Sequence, residues 1–232
     1  MPTALITGGS AGLGHALTTA LASAGWDVVT DGRDAPRLRE ATRALGPRVR
    51  AIPGDVTDPT HREELVRAAT DLGRLDLLVN NASTLGATPM PPVAALELDD
   101  LDGAWLTNVV APLALAQDLL PLLRTSHGVL VNITSDASVE HYAGWGAYAA
   151  TKAALDHLTL TLGAENPWLA AYAIDPGDMR TAMHQAAFPG EDISDRPLPE
   201  AVVPGLLELL RQRPASGRHR VTEFLDAGRV AG

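Results

Sequence analysis

Thr3-Ala4-Leu5-Ile6-Thr7-Gly8-Gly9-Ser10-Ala11-Gly12-Leu13-Gly14 is the stretch that decides the fold. Ala4–Ile6 is a short apolar run with strand character, and a helical pattern follows over Leu13–Ala24. Glycine at 8, 12 and 14 lets the backbone turn tightly between them and come close to a bound group. Free N–H groups and the dipole at the start of the helix favour an anion there, a pyrophosphate above all. The spacing is not G-x-G-x-x-G, and glycine-rich turns are easily imitated. Its position directly after the first strand gives this one its meaning.

The same alternation continues along the chain. Asp27–Thr30, Val49–Ile52, Leu75–Val79, Gly128–Ile133 and Ala170–Ile174 read as further strands. Helical patterns lie between them at Pro36–Leu45, Thr60–Leu72, Leu96–Leu123 and Gly146–Leu162. Strands this continuously apolar belong to a parallel sheet covered on both faces, and short connections imply right-handed βαβ units. The expected fold is α/β, a doubly wound parallel sheet in one domain spanning residues 1–232. The rhythm breaks after Pro176, where Pro189, Pro197 and Pro199 interrupt a mixed acidic and apolar segment. A long irregular stretch of this kind, 177–199, reads as a lid over a site. A last helix is expected at Pro199–Arg211, then a weak strand at His219–Thr222 and a frayed tail at 226–232.

Composition sets the outer bounds. Apolar residues make up 46% of the 232, enough for a sizeable core. A net charge of −10 argues against nucleic acid, which needs a basic face. There is no cysteine, so disulfides and thiolate chemistry are excluded, and a cytoplasmic setting is expected. The apolar stretches Val109–Leu123 and Ala149–Leu162 look too short or interrupted for a membrane span, and no targeting segment is read before the first strand. The seven histidines show no metal-ligand spacing. No metal is expected.

Strand ends extend the nucleotide reading. After the second strand comes Val29-Thr30-Asp31-Gly32-Arg33. An acid there accepts from ribose hydroxyls, whereas a base accommodates a 2′-phosphate, and register alone chooses between Asp31 and Arg33. A solvated Arg33 at a helix start is the plainer alternative. Asp55-Val56 follows the third strand and Asn80-Asn81-Ala82 the fourth, both at the edge where such a ligand would lie.

The chemistry is expected further on. Lys152 is the only lysine among eighteen basic residues, and it stands four positions after Tyr148, on the same helix face. A lysine-poor composition could leave one such residue by chance. A phenol titrates near ~10, too high for acid–base work at neutral pH. A neighbouring ammonium or an oxidised nicotinamide would favour the phenolate. Ser135, ending the fifth strand, would donate to the same substrate oxygen.

Together these residues resemble the short-chain dehydrogenase/reductase family over roughly residues 3–183. Thr7-Gly8-x-x-x-Gly12-x-Gly14, Asn80-Asn81-Ala82, Asn108, Ser135, Tyr148-x-x-x-Lys152 and Pro176-Gly177 stand in the family's order and spacing. The resemblance implies a Rossmann-like sheet binding NAD(H) or NADP(H). It implies Tyr148 as general acid/base and Lys152 as the group that binds the nicotinamide ribose and tunes the phenol. Ser135 would orient the substrate oxygen, and Asn108 would hold a relay water at a helix kink. The cofactor would meet Thr7, Gly8, Ser10, Gly12, Leu13, Gly14, Asp55, Val56, Asn81, Ala82, Tyr148, Lys152, Pro176, Gly177 and Thr181. Gly32 falls where NAD-specific members place an acid, and Arg33 where NADP-specific members place a base. NADP(H) is therefore expected, with NAD(H) as the alternative because Asp31 is one residue away.

Three departures stand out. Ser83 replaces a glycine after Asn81-Ala82, Gly163–Ala170 is short, and the glycine-rich ending of the seventh strand is missing. The last points to a homodimer through the Asn108 and Tyr148 helices rather than a tetramer. His141, Tyr142, Trp145, Met183, His184 and Phe188 are the candidates for substrate contact, with aromatic packing as the competing reading. Trp26 and Trp105 read as packing residues. The expected function is NADP(H)-dependent reduction of a ketone or oxidation of a secondary alcohol, a small molecule. A non-redox nucleotide-binding or rearrangement-catalysing protein on the same fold is the rival.

Overall fold

Neighbouring residues of each strand point to opposite layers, and this alternation builds two cores from one sheet. The computed structural model describes residues 1–225. Its strands are β1 (Thr3–Ile6), β2 (Asp27–Gly32), β3 (Val49–Pro53), β4 (Leu77–Asn80), β5 (Val129–Ile133), β6 (Ala170–Asp175) and β7 (Gly217–Arg220). All pair in parallel, in the order β3-β2-β1-β4-β5-β6-β7. Ala4, Ile6, Leu77, Val79, Val129, Val131, Tyr172 and Ile174 face one layer, packed by α1 (Gly12–Ser23) and α8 (Pro199–Gln212). Leu5, Val29, Leu78, Leu130 and Ala171 face the other, packed by α3 (Pro59–Asp71) and α5 (Ala111–Ser126). The expected doubly wound sheet is the observed one.

Several boundaries move for identifiable reasons. The fourth strand begins at Leu77, because Leu75 donates its N–H to Ser126 Oγ (3.0 Å) instead of to a neighbouring strand. Asp34 accepts the Arg37 N–H (2.9 Å) and so starts α2 (Ala35–Thr42) a residue before Pro36. The expected helix at Leu96–Leu123 is α4 (Leu98–Trp105), a widened π-helical turn at Leu106–Val110, and α5 in succession. At 29 residues this helix is long and apolar enough to cross a membrane, contrary to the shorter run legible in sequence. Leu115, Ala116, Leu119 and Leu123 are nonetheless core residues against the sheet. Trp105 is exposed rather than packed, since it sits on the outer side of the helix just before the wide turn.

The helix α6 (Gly146–Glu165) runs three residues beyond expectation and packs beside β5, β6 and α4. The segment 177–199 is less irregular than its prolines suggest. It contains α7 (Ala182–Ala187), and Arg180 N–H bonds Pro197 O (2.8 Å) across its base. The last strand lies two residues earlier than His219–Thr222, in register from Tyr172↔Gly217 to Asp175↔Arg220, and a short α9 (Thr222–Leu225) follows. The tail 226–232 lies outside the described residues. Leu119 is fully buried. Leu119→Ala is therefore expected to cost about 2–5 kcal/mol, read as a lower urea midpoint with an unchanged slope.

Candidate active site

A helix that leaves its first N–H groups unpaired offers them to a ligand. Asp34 and Asp58 cap α2 and α3 with their side chains, but α1 has no side-chain cap and no acid in its first turn. Gly8 and Gly12 adopt φ of +76° and +55°, a region that favours glycine, and so expose the loop's backbone. Beneath the loop, Asp31 accepts the Gly8 N–H with Oδ1 (2.7 Å) and pairs through Oδ2 with His61 Nε2 (3.0 Å). Both side chains are buried. Asp31 is thus committed to the underside of the loop, while Gly32, on the opposite face, looks toward Ser10. Arg33 and Arg37 are exposed, line the same cleft and have no ion-pair partner among the described residues. This arrangement suits the NADP(H) preference expected from sequence. Asp31 also lines the cleft, but its carboxylate is taken up by Gly8 N–H and His61, which leaves Arg33 and Arg37 as the groups free to meet a phosphate.

The cleft, about 400 Å³, runs along the C-terminal edge of the sheet. Gly8, Ser10, Gly12, Leu13, Asp55, Val56, Asn81, Ala82, Pro176, Gly177 and Thr181 line it, and Ser135, Tyr148 and Lys152 form its inner wall. Thr7 and Gly14 do not. The Thr7 hydroxyl accepts the N–H groups of Asn81 and Ala82 (both 3.0 Å), and Gly14 lies against Gly8 O and Asn81, so both shape the loop from behind. Uncapped N–H groups, positive-φ glycines and unpaired arginines together suit a dinucleotide bearing a further phosphate.

At the chemical end, Lys152 Nζ donates to Ile133 O (2.8 Å) and lies 5.5 Å from the centre of the Tyr148 ring. Ser135 Oγ donates to Asp136 Oδ1 (2.9 Å) and accepts from Ala137 N–H (3.2 Å). A carbonyl oxygen arriving beside Tyr148 must therefore draw the Ser135 proton away from Asp136. Asn108 sits at the centre of the widened turn, but its side chain faces protein on every side. Oδ1 accepts from Ser83 Oγ (3.0 Å) and Thr84 N–H (2.9 Å), while Nδ2 donates to Thr84 O and Thr151 Oγ1 (both 2.9 Å). It lies outside the cleft lining, because these four bonds turn it inward.

A family model for short chain dehydrogenases matches residues 2–192. The chain belongs to this family. It is 36% identical to serine 3-dehydrogenase of Agrobacterium fabrum over 183 residues, 77% of this chain and 72% of that one. It is 32% identical to bovine sepiapterin reductase over 199 residues, covering 79% and 74% of the two chains. A short chain dehydrogenase of Shigella flexneri, solved in complex with NADP, superposes with a TM-score of 0.88 at 29% identity. The match covers 95% of this chain and 97% of that one. Membership makes the protein an NAD(P)-dependent oxidoreductase.

In this short-chain dehydrogenase the substrate candidates divide. Trp145, Met183 and His184 line the cleft. Phe188 does not, because it stands behind them, 5.8 Å from Trp145 and 4.8 Å from His184 between ring centres. His141 and Tyr142 are exposed outside the lining; the Tyr142 hydroxyl donates to Asp136 Oδ2 (2.9 Å) and so is drawn to the rim. Sequence reading missed Arg37, His61 and Asp136. Arg37 is the third residue of α2, so recognising Asp34 as the cap would have placed it in the first turn, next to the strand end that carries Arg33. His61 carries no local signal, since its partner is thirty positions away.

Burial raises the Tyr148 phenol above its ordinary value, with the Ser135 and Ser83 hydroxyls opposing and Asp136 and Asp175 adding to the rise. Burial likewise lowers the Lys152 ammonium from 10.5 to about 8, against the pull of Asp156. Between those two pH values the unfolded cofactor-free chain keeps a proton that the folded chain has shed. Stability relative to Lys152→Met is therefore expected to climb from pH ~8 to pH ~10.5 and to level off beyond. Parallel urea titrations across that range check it; a flat difference would refute the buried ammonium.

Proposed function

We propose that this dehydrogenase is an NADP(H)-dependent carbonyl reductase, interconverting a ketone and a secondary alcohol with Tyr148 as general acid/base. The observation that carries this reading is the shared wall of one cleft. Tyr148 and Lys152 face Ser135 at one end, and unpaired Arg33 and Arg37 stand at the other. When bound, the nicotinamide exchanges hydride with the substrate carbon. The protein's share is the proton. Tyr148 supplies it to the carbonyl oxygen, Ser135 donates to that same oxygen, and Lys152, held at Ile133 O, keeps a positive charge beside the phenol.

That charge matters because burial alone pushes the phenol the wrong way for chemistry at neutral pH. In the alcohol-oxidising direction an oxidised nicotinamide held in the cleft would add its positive charge to that of Lys152 and favour the phenolate further. Arg33 and Arg37 suit a 2′-phosphate, in agreement with the NADP held by the Shigella flexneri relative. The 177–199 segment acts as the lid. Its helix α7 brings Met183 and His184 over the substrate end, and an Arg196–Asp178 ion pair (3.4 Å) closes its base. Exposed Trp105, Leu106 and Val110 on one helix and exposed Leu160 on α6 support a homodimer through these helices.

Tyr148→Phe is expected to lower kcat by about 10²–10⁴-fold while leaving the affinity for NADPH nearly unchanged. The measurement is NADPH oxidation with a carbonyl panel, run in reverse with secondary alcohols and extended to serine and sepiapterin. Unchanged turnover in the variant would refute the acid/base role; NADPH binding with no turnover of any substrate would favour the non-redox rival. Replacing Arg33 and Arg37 by alanine is expected to weaken NADPH about tenfold or more, since each charge-assisted bond is worth ~1.5–3 kcal/mol, with NADH little affected. Fluorescence titration with both cofactors decides it.

A further inference from the structure

Arg218 stands on β7, beyond the residues that the family model matches, and takes no part in lining the cleft. Its side chain is only one-fifth exposed and turns inward under the catalytic edge. Nε donates to Asp156 Oδ2 (3.0 Å) and Ser138 Oγ (3.3 Å); Nη2 donates to Ser135 O (3.0 Å) and Asp175 Oδ2 (3.3 Å). Ser138 Oγ also donates to Asp156 Oδ2 (2.6 Å). One guanidinium thus joins Ser135, two residues past the end of β5, the middle of α6 at Asp156, and the end of β6 at Asp175. Asp175 in turn accepts the Gly177 N–H (3.0 Å).

Asp156 is the informative member. It follows Lys152 by four positions on α6, so the two side chains share a helix face and are placed to pair, with lysine first in the less favourable order. That pair does not form. Lys152 Nζ bonds Ile133 O, and the Asp156 carboxylate goes to Arg218 and Ser138, with Oδ1 buried and unpartnered among the described residues. An ammonium is free to swing on its stem, whereas a planar fork holds two acceptors in fixed directions.

We propose that Arg218 is a positioning residue for the reaction, holding the Asp156 carboxylate so that Lys152 stays at Ile133 O beside Tyr148. Without Arg218, Asp156 becomes a buried carboxylate with no cation, and the nearest one on its own helix face is Lys152. Capture of Lys152 draws the ammonium one turn down α6, away from the phenol. Loss of the Ser135 contact loosens the other side of the site at the same time. The kinetic part of this proposal rests on the roles assigned above to Tyr148, Ser135 and Lys152.

The single lysine makes the test direct. In protein labelled with ¹³C-lysine, the side-chain Cε signal comes from Lys152 alone. Arg218→Gln is expected to shift that signal, and the double variant Arg218→Gln/Asp156→Asn to return it toward the wild-type position. With NADPH and a carbonyl that the wild type reduces, Arg218→Gln is expected to lose about tenfold or more in kcat with KM changed less than about threefold, a loss confined to the transition state. Adding Asp156→Asn is expected to recover part of the rate. Arg218→Met, which keeps a long apolar stem, serves if the glutamine variant does not fold.

An unmoved lysine signal in Arg218→Gln overturns the proposal. So does a double variant no better than the single one, since a purely structural arginine gives that result. A wild type that turns over no carbonyl leaves the lysine signal to decide the Arg218 question, and counts against the proposed function alone.

Discussion

Parallel strands impose one constraint from which the rest of this molecule follows: every strand ends on the same edge. Strand dipoles and side chains contribute little to that geometry; the direction of chain travel does. Gly8, Asp31, Asp55, Asn81, Ser135 and Asp175, far apart in sequence, meet because each follows or closes a strand, and α6 brings Tyr148 and Lys152 to the same edge. The crossovers force helices onto both faces, which is why Leu5 and Ile6 enter different cores. Depth of burial then does chemical work. The phenol and the ammonium at the edge are both pushed toward their neutral forms by the same lack of water.

Buried polar groups are ordered to match. Asn80 donates to Asn132 Oδ1 (2.8 Å), its register partner on the adjacent strand, and Asn132 donates to Thr159 Oγ1 on α6 (2.7 Å). That chain of amides fixes α6 against the sheet from below, while Ile133 O and Lys152 fix it nearer the edge. The position of Tyr148 is thus determined by several bonds along one helix, none of which involves the phenol itself. Asn108 adds the neighbouring helix through Thr151.

The fold was legible because it is written in local patterns. Apolar runs of four to six residues, separated by helical periods, leave few alternatives to a parallel sheet. The cleft lining was legible for a related reason, since residues after strands sit at the edge whatever their partners. What the sequence concealed depends on pairs with long separations or on side-chain direction. The residues alone left Asp31 and Arg33 as alternatives and the resemblance favoured Arg33; what sequence concealed is that Asp31 is held by Gly8 N–H and His61. His141 and Tyr142 lie in the expected loop but face outward, and nothing in their local sequence encodes that. Arg218, eighty-three positions from Ser135, has no sequence signature at all.

Gly32 has a consequence for how the cofactor pocket can change over evolutionary time. A side chain there would place its Cβ 3.0 Å from Ser10 Oγ and 3.1 Å from Ser10 Cβ. An acid entering that position needs Ser10 to give by a few tenths of an ångström, and Ser10 belongs to the loop that Asp31 and His61 hold from beneath. Acquiring the opposite dinucleotide preference is therefore a coupled trait. A side chain at the strand end and the placement of Ser10 adjust together.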